Sequence, residues 1–347
     1  MPDSILLSEI NEQPDVLRRL LREGEPNVRR VADALASRGL TGVVIAARGS
    51  SDNAARYGQY VLGALNRLNV GLATPSLYTR YQAPPRLNGA LVVGISQSGE
   101  SPDLVAVVEE GRRQGCPTLA ITNVEGSPIT RVADHTLLLG AGRERSIAAT
   151  KTYTSQLMTI AMLSAALGGD ARRWAELAEV PDQVSAALQL GERAQAAAAM
   201  LKDAGHGVVI GRGYNYATAF EMSLKAKELA YVAVEPYSAA DFQHGPIALV
   251  EAGFAAIVVN VAGAVCEEVE ALLNAMIDRG ARPAVVSNIP SSLAVAAAPL
   301  PLPENLPEWV SPIAAVVPGQ LLAFHLSRAR GFDPDQPRGL NKVTRTT

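Results

Sequence analysis

The chain's 347 residues carry 31 Lys and Arg against 34 Asp and Glu, a formal net charge of −3, so no global field attracts nucleic acid or an anionic membrane and any anionic ligand is bound locally. With 48% hydrophobic residues and 5% aromatics, the composition excludes a disordered or fibrous chain, and the length allows two domains, each with its own core. Two cysteines, Cys116 and Cys266, and four histidines with no close pair among them exclude a disulfide framework and a spaced metal site, and fit a reducing cytosol.

The opening "MPDSILLSEINEQPD" is acidic and lacks the basic start and apolar core of a signal peptide, so a cytoplasmic location is expected. "LLSEINEQPDVLRRLLREGEPNVRRVADALASRG" places apolar residues at helical spacing with a break near Pro14, which predicts two helices as a lead-in over residues 1–35. From Thr41 the pattern changes to short apolar runs alternating with helical stretches. "GVVIAARG" precedes a helix from Asp52, "ALVVGIS" precedes a helix from Pro102, and "PTLAIT" and "HTLLLG" precede a helix from Thr150. Continuous apolar strands without alternation point to burial on both faces, as in a parallel sheet covered by helices. Residues 36–170 therefore read as one doubly wound domain.

Residues from Gly168 to about Arg193 are Ala- and charge-rich at helical spacing and read as a helical connection. The chain then begins again, over residues 195–330, with a tail over 331–347. "GVVIAARGSSDNAARYGQYV" from Gly42 is echoed by "GVVIGRGYNYATAFEMSLKA" from Gly207, and the strand and helix from Ala90 are echoed from Ala255. Two echoes at an offset of about 164 residues predict an internal duplication. The longest apolar stretch, Ala252 to Cys266, contains Asn260 and is too short to span a bilayer, so it reads as a buried strand entering a helix.

Where the two copies differ is informative. Gly99 aligns with Gly263, but "SQSGES" in the first copy has become "VAGAVC" in the second. A feature needed only for folding belongs in both, so the hydroxyls favour a ligand in the first half. Ser, Gln and Gly at the end of a parallel strand, entering a helix N-terminus, present donors and the positive end of the helix dipole to a phosphate or carboxylate. The simpler alternative is that Ser98 or Ser101 only caps a helix, with Pro102 at its first position. "ARGSSDNA" supplies a second loop of the same kind, with Gly49, Ser50 and Ser51, and two such strand ends could embrace one polyol phosphate. A nucleotide is disfavoured, because neither a G-x-x-x-x-G-K-S/T loop nor a G-x-G-x-x-G with its acidic partner occurs.

"ISQSGES", "SIAATKTYTSQL", "EMSLKAKELAYVAVEPYSAADFQHGP" and "DPDQPRGLNKVT", in that order, resemble the isomerase half of glutamine:fructose-6-phosphate amidotransferase, built from two SIS (sugar isomerase) domains. The resemblance runs over essentially the whole chain and implies an α/β fold of two tandem doubly wound domains, each a mostly parallel sheet flanked by helices. It implies phosphate-binding roles for Ser50, Ser51, Ser96, Gln97, Ser98 and Ser101, and places Ile147 or Ala148 near the sugar. It further implies a proton-shuttling Glu228 with Glu221 and Lys225 beside it, a ring-opening His244 reaching the site from the partner subunit of a homodimer, and a Schiff-base Lys342. Nothing in the sequence matches the family's N-terminal glutaminase nucleophile, so the chain is also similar to stand-alone deaminases of the glucosamine 6-phosphate type.

Chemistry supports those assignments. Histidine titrates near neutrality and suits ring opening, and His244, before Gly-Pro, is placed unlike His135, His206 and His325, which lie beside strands or in a helical stretch. Glu221, Lys225 and Glu228 share one helix face; a solvated ion pair is the plain alternative to a shuttle in which Lys225 stabilises an enediolate. Lys342 can form an imine if desolvated, or be an ordinary tail lysine. The expected activity is aldose–ketose isomerisation of a hexosamine 6-phosphate, converting glucosamine 6-phosphate to fructose 6-phosphate and ammonia, with no metal or organic cofactor. Alternatives are a deglycase or deaminase for another N-substituted sugar 6-phosphate, a synthase fed with ammonia by a separate glutaminase subunit, or a non-catalytic sugar-phosphate sensor.

Overall fold

The computed structural model describes residues 4–342; the first three residues of the lead-in and the last five of the tail lie outside the described residues. Among the described residues, two five-stranded sheets whose strands pair in parallel organise the chain. The first contains β1 (Gly42–Ala46), β2 (Asn69–Leu72), β3 (Ala90–Ser96), β4 (Thr118–Thr122) and β5 (His135–Leu138) in the order β2-β1-β3-β4-β5. The second contains β6 (His206–Gly211), β7 (Ala233–Ser238), β8 (Ala255–Asn260), β9 (Arg282–Ser287) and β10 (Ala298–Pro301) in the order β10-β9-β8-β6-β7. Matching β6–β10 to β1–β5 makes the two orders identical, which is the topology a duplicated unit requires.

The chain divides into two compact units. One comprises Asp15–Glu144, Lys151–Ala178 and the tail from Asn341, around the first sheet; the other comprises the chain up to Pro14, Arg145–Thr150 and Glu179–Leu340, around the second. In the first-sheet unit β3 and β4 are buried at every residue, as strands covered on both faces must be. The helix Pro102–Arg113 lays Leu104, Val107 and Val108 onto that sheet, where they join Val92, Ala120 and Ile129 in one core. Full burial of each such side chain contributes about 1.5–3 kcal/mol. In the second-sheet unit, Val208, Ile210, Val258 and Val285 from the strands meet Val269, Leu272, Leu273 and Met276 of the helix Cys266–Asp278.

The lead-in forms two helices, Ile5–Asn11 and Gln13–Ala36, but the break is at Glu12; Pro14 lies in the first turn of the second helix, where proline's missing N–H leaves no hydrogen bond unmade. Helices begin at Ser50 and Lys151 rather than at Asp52 and Thr150. The connection folds as the helices Ala171–Leu188 and Gly191–Leu201. Among the described residues no helix is long and apolar enough to cross a membrane.

Candidate active site

The carboxyl ends of β1 and β3 carry the hydroxyl loops of the first-sheet unit. Gly49, at φ +57°, turns the chain from β1 into the helix Ser50–Asn66, and an added Cβ there would meet no atom within 4 Å. The Ser51 hydroxyl is buried and accepts from Gln156 Nε2 at 2.9 Å, while the Gln156 carbonyl oxygen has no partner. Asp52, in the first turn, is pushed up by burial against the pull of Arg56 and Arg48, and Arg56 holds its carboxyl at 3.2 Å.

In the β3 loop the serines first build the turn. The Ser96 hydroxyl accepts the Gly99 N–H at 3.1 Å, and the Ser98 hydroxyl accepts that of Glu100 at 3.3 Å. Gly99 sits at φ +67°, and a Cβ on it would run into Ser127, so both conformation and space demand glycine. The Gln97 carbonyl accepts from the Asn123 N–H at 3.1 Å and the Thr122 hydroxyl at 3.3 Å. Ser101 is the N-cap residue of the helix Pro102–Arg113, but its side chain makes no capping hydrogen bond, so the capping alternative fails for its hydroxyl. A serine that accepts from the backbone still has its own proton to donate, and a phosphate dianion requires such donors. Arg48 joins the loops by donating to the buried Asp103 through Nε at 3.0 Å and its terminal NH2 at 2.9 Å.

Lys342 belongs to the same unit. Its Nζ donates to Glu144 Oε2 at 2.6 Å, and the fully buried Glu144 also accepts from the Thr152 hydroxyl at 2.7 Å and N–H at 3.1 Å. The expected nucleophile is thus an ion-paired donor, and Glu144, which the sequence reading missed, is its partner. Ile147 and Ala148 lie in Arg145–Thr150, which belongs to the second-sheet unit; there the Glu9 carboxylate accepts the N–H groups of Arg145 at 2.6 Å and Ser146 at 3.0 Å.

The helix Tyr216–Ala230 of the second-sheet unit carries the charged cluster. Lys225, 1% exposed, points its Nζ at Glu228 Oε2, 2.5 Å away, and at Glu221 Oε1, 3.4 Å away. Burial alone would push the Lys225 ammonium down; the charges of Glu221 and Glu228, with their hydrogen bonds, outweigh it and hold it well above the ordinary lysine range. Glu221 is wholly buried, while the Glu228 side chain keeps 24% of its exposure. The cluster therefore offers one accessible carboxylate, fixed by a permanent cation behind it. Lys225 is buried beside both carboxylates, and Glu228 is the member of the cluster that reaches the surface.

His244 caps the short helix Ala239–Gln243 and is exposed, followed by Gly245 at φ +131° and a turn in which Leu249 is 58% exposed. His206 packs against the Phe254 ring on the first residue of β6, and His325 lies in the helix Ser311–Ala329, pushed down by burial and by Arg328.

The SIS domain family model matches residues 41–166 and 200–326. The isomerizing glutamine–fructose-6-phosphate aminotransferase of Thermococcus kodakarensis is 36% identical over 347 residues, with 97% of this chain and 57% of that protein covered. The chain thus spans little more than half the length of that relative. The solved C-terminal domain of glucosamine-fructose-6-phosphate aminotransferase from Francisella tularensis superposes with a TM-score of 0.87 at 25% identity, covering 96% of this chain and 98% of that one. Glucosamine-6-phosphate deaminase from Thermotoga maritima shares the fold, with a TM-score of 0.80 at 22% identity over 99% of this chain and 100% of that one.

Proposed function

The chain belongs to the SIS domain family, and from that premise we propose that it is an aldose–ketose isomerase of hexosamine 6-phosphates that takes glucosamine 6-phosphate and water to fructose 6-phosphate and ammonia. The observation that carries the reading is the Glu228 carboxylate, partly exposed and pinned by the buried Lys225 ammonium. Moving a proton between two adjacent carbons needs one base that reaches both and is held still.

In this reading Ser96, Gln97, Ser98 and Ser101, with Ser50 and Ser51, grip the phosphate. Ile147 or Ala148 contacts the sugar. His244 moves the proton that opens the ring. Glu228 then takes the C2 proton of the open aldehyde and returns it to C1 while a proton passes from the C2 amine to O1, which leaves the imine of the ketose at C2. Lys342 hands its proton to Glu144, attacks that carbon and expels ammonia; water then hydrolyses the lysine imine to the ketone and restores the amine. Glu221 and Lys225 act through Glu228 as positioning groups. The exposure of His244, with Leu249 close by in the chain, supports a loop that serves a second copy of this chain in a homodimer.

Ammonia release is the test, measured for glucosamine 6-phosphate beside galactosamine 6-phosphate and an N-substituted fructosamine 6-phosphate. Turnover of glucosamine 6-phosphate above the other two is expected. Preference for the N-substituted ketose would make the protein a deglycase, and no release from any of them, with sugar phosphate still bound, would contradict the enzymatic reading.

A further inference from the structure

The duplicated unit contains the counterpart of the phosphate loops, and it is filled. Arg48-Gly49 at the end of β1 recurs as Arg212-Gly213 at the end of β6, and Gly213, at φ +59°, shares the positive φ of Gly49 at +57°. Arg48 pairs with Asp103 in the first turn of Pro102–Arg113; Arg212 pairs with Glu268 in the first turn of Cys266–Asp278, at 2.6 Å. Gly263, the counterpart of Gly99, follows β8 as Gly99 follows β3. In both copies the N-cap residue, Ser101 or Val265, leaves the helix N-terminus without a side-chain cap.

At that place in the second copy stands a carboxylate brought from 44 residues away. Glu308 Oε2 accepts the Ala264 N–H at 2.9 Å, a Cβ on Gly263 would strike the same carboxylate, and a Cβ on Gly213 would lie 3.8 Å from Oε1. The Glu308 carboxylate thus lies between the two glycine turns that match those of the phosphate cradle. In the first copy Gly49 has open space where Gly213 has Glu308 and Val265, and a Cβ on Gly99 meets the Ser127 hydroxyl where one on Gly263 meets the Glu308 carboxylate. Backbone donors and a helix dipole stabilise a negative group at this position whatever molecule supplies it.

We propose that Glu308 is the resident anion of a second anion-binding site, formed by the same two loops in the repeat as the phosphate cradle, and that its carboxylate closes that site to sugar phosphates. The ligand class is a small oxyanion, a carboxylate or a phosphate, and the consequence is one sugar phosphate per chain despite two copies of the fold. The inference rests on the phosphate-cradle reading of the first copy only for the comparison of loops.

Thermal unfolding of the full chain, Glu308→Ala and Glu308→Gln, each in chloride, formate or inorganic phosphate at equal ionic strength, tests it. Glu308→Ala removes the carboxylate and leaves room for a small anion, so Tm should fall by about 2–4 °C in chloride and be largely regained in formate. Glu308→Gln keeps the volume filled and should gain nothing from formate, like the parent chain. Calorimetric titration with phosphate should find one site per chain in the parent and two in Glu308→Ala. An Ala variant that responds to formate and phosphate no differently from the parent overturns the proposal. Failure of the cradle reading would show separately, as a parent chain indifferent to phosphate while the formate rescue of the variant persists.

Discussion

Lys225 lies buried between Glu221 and Glu228, and its charge is what makes the burial of Glu221 tolerable. Replacing it by methionine leaves a carboxylate without a counter-charge inside the unit, and breaking a buried pair in this way costs about 3–5 kcal/mol. The pH dependence has a definite sign. A lysine raised above its unfolded value near 10.5 contributes stability that is fully present below that pH and is lost only as pH rises through the higher folded value. Denaturant unfolding of the parent and Lys225→Met at pH 7 and pH 10 should therefore show the same difference; a difference that shrinks by pH 10 would mean that the ammonium is not held. Lys342 is tested by trapping. Borohydride with fructose 6-phosphate should add the reduced sugar phosphate to the parent chain at Lys342 and not to Lys342→Arg, which can keep a cation beside Glu144 but forms no imine; equal labelling of both would remove Lys342 from the chemistry.

At the scale of elements, the β3 loop is the part most constrained by its own geometry. Gly99→Ala places a Cβ against Ser127 and forces a left-handed residue, the latter alone costing about 1–2 kcal/mol. Its KM for the sugar phosphate should rise about tenfold or more with a smaller change in kcat, because phosphate binding and not proton transfer depends on the turn; an unchanged KM would separate the loop from the substrate. The central strands were legible because β3, β4, β8 and β9 are nearly continuous apolar runs buried on both faces. Of the edge strands, β5 was legible in "HTLLLG", but β2, β7 and β10 were not. β2 reads "NVGL" with alternating exposure, and β7 and β10 contain Pro236, Pro299 and Pro301, which a sheet tolerates at its edges, where one side of the strand has no ladder to break. The helix Ser311–Ala329 was read only as the helical stretch around His325. It is buried almost all round and holds Pro318, so it shows neither an amphipathic stripe nor a clean run.

For the molecule as a whole, the repeat was visible in the sequence because the strand–helix pairs from Gly42 and Ala90 recur from Gly207 and Ala255, and the matching strand orders of the two sheets bear it out. The cluster of Glu221, Lys225 and Glu228 was legible from helical spacing alone, but its burial, which leaves Glu228 the one partly exposed member, was not. Glu144 and Glu308 were illegible because each acts on a residue far away in sequence; the recurrence of Arg-Gly at positions 48 and 212 was the available signal for the second. If the active unit is a homodimer that shares His244, then mixed dimers of Glu228→Gln and His244→Ala should recover part of the parent activity, since one of their two sites is intact. No recovery in verified mixed dimers would place His244 and Glu228 of one chain in the same site. The central claim, that Glu228 carries a proton between C1 and C2 of a sugar phosphate, is tested most directly by following fructose 6-phosphate in deuterated water by NMR. Deuterium should enter at C1 with the parent chain, and Glu228→Gln should lose at least 10²-fold of that rate, the order expected for removal of a general base, while binding the sugar phosphate as tightly as before. Exchange that persists in Glu228→Gln would contradict the account.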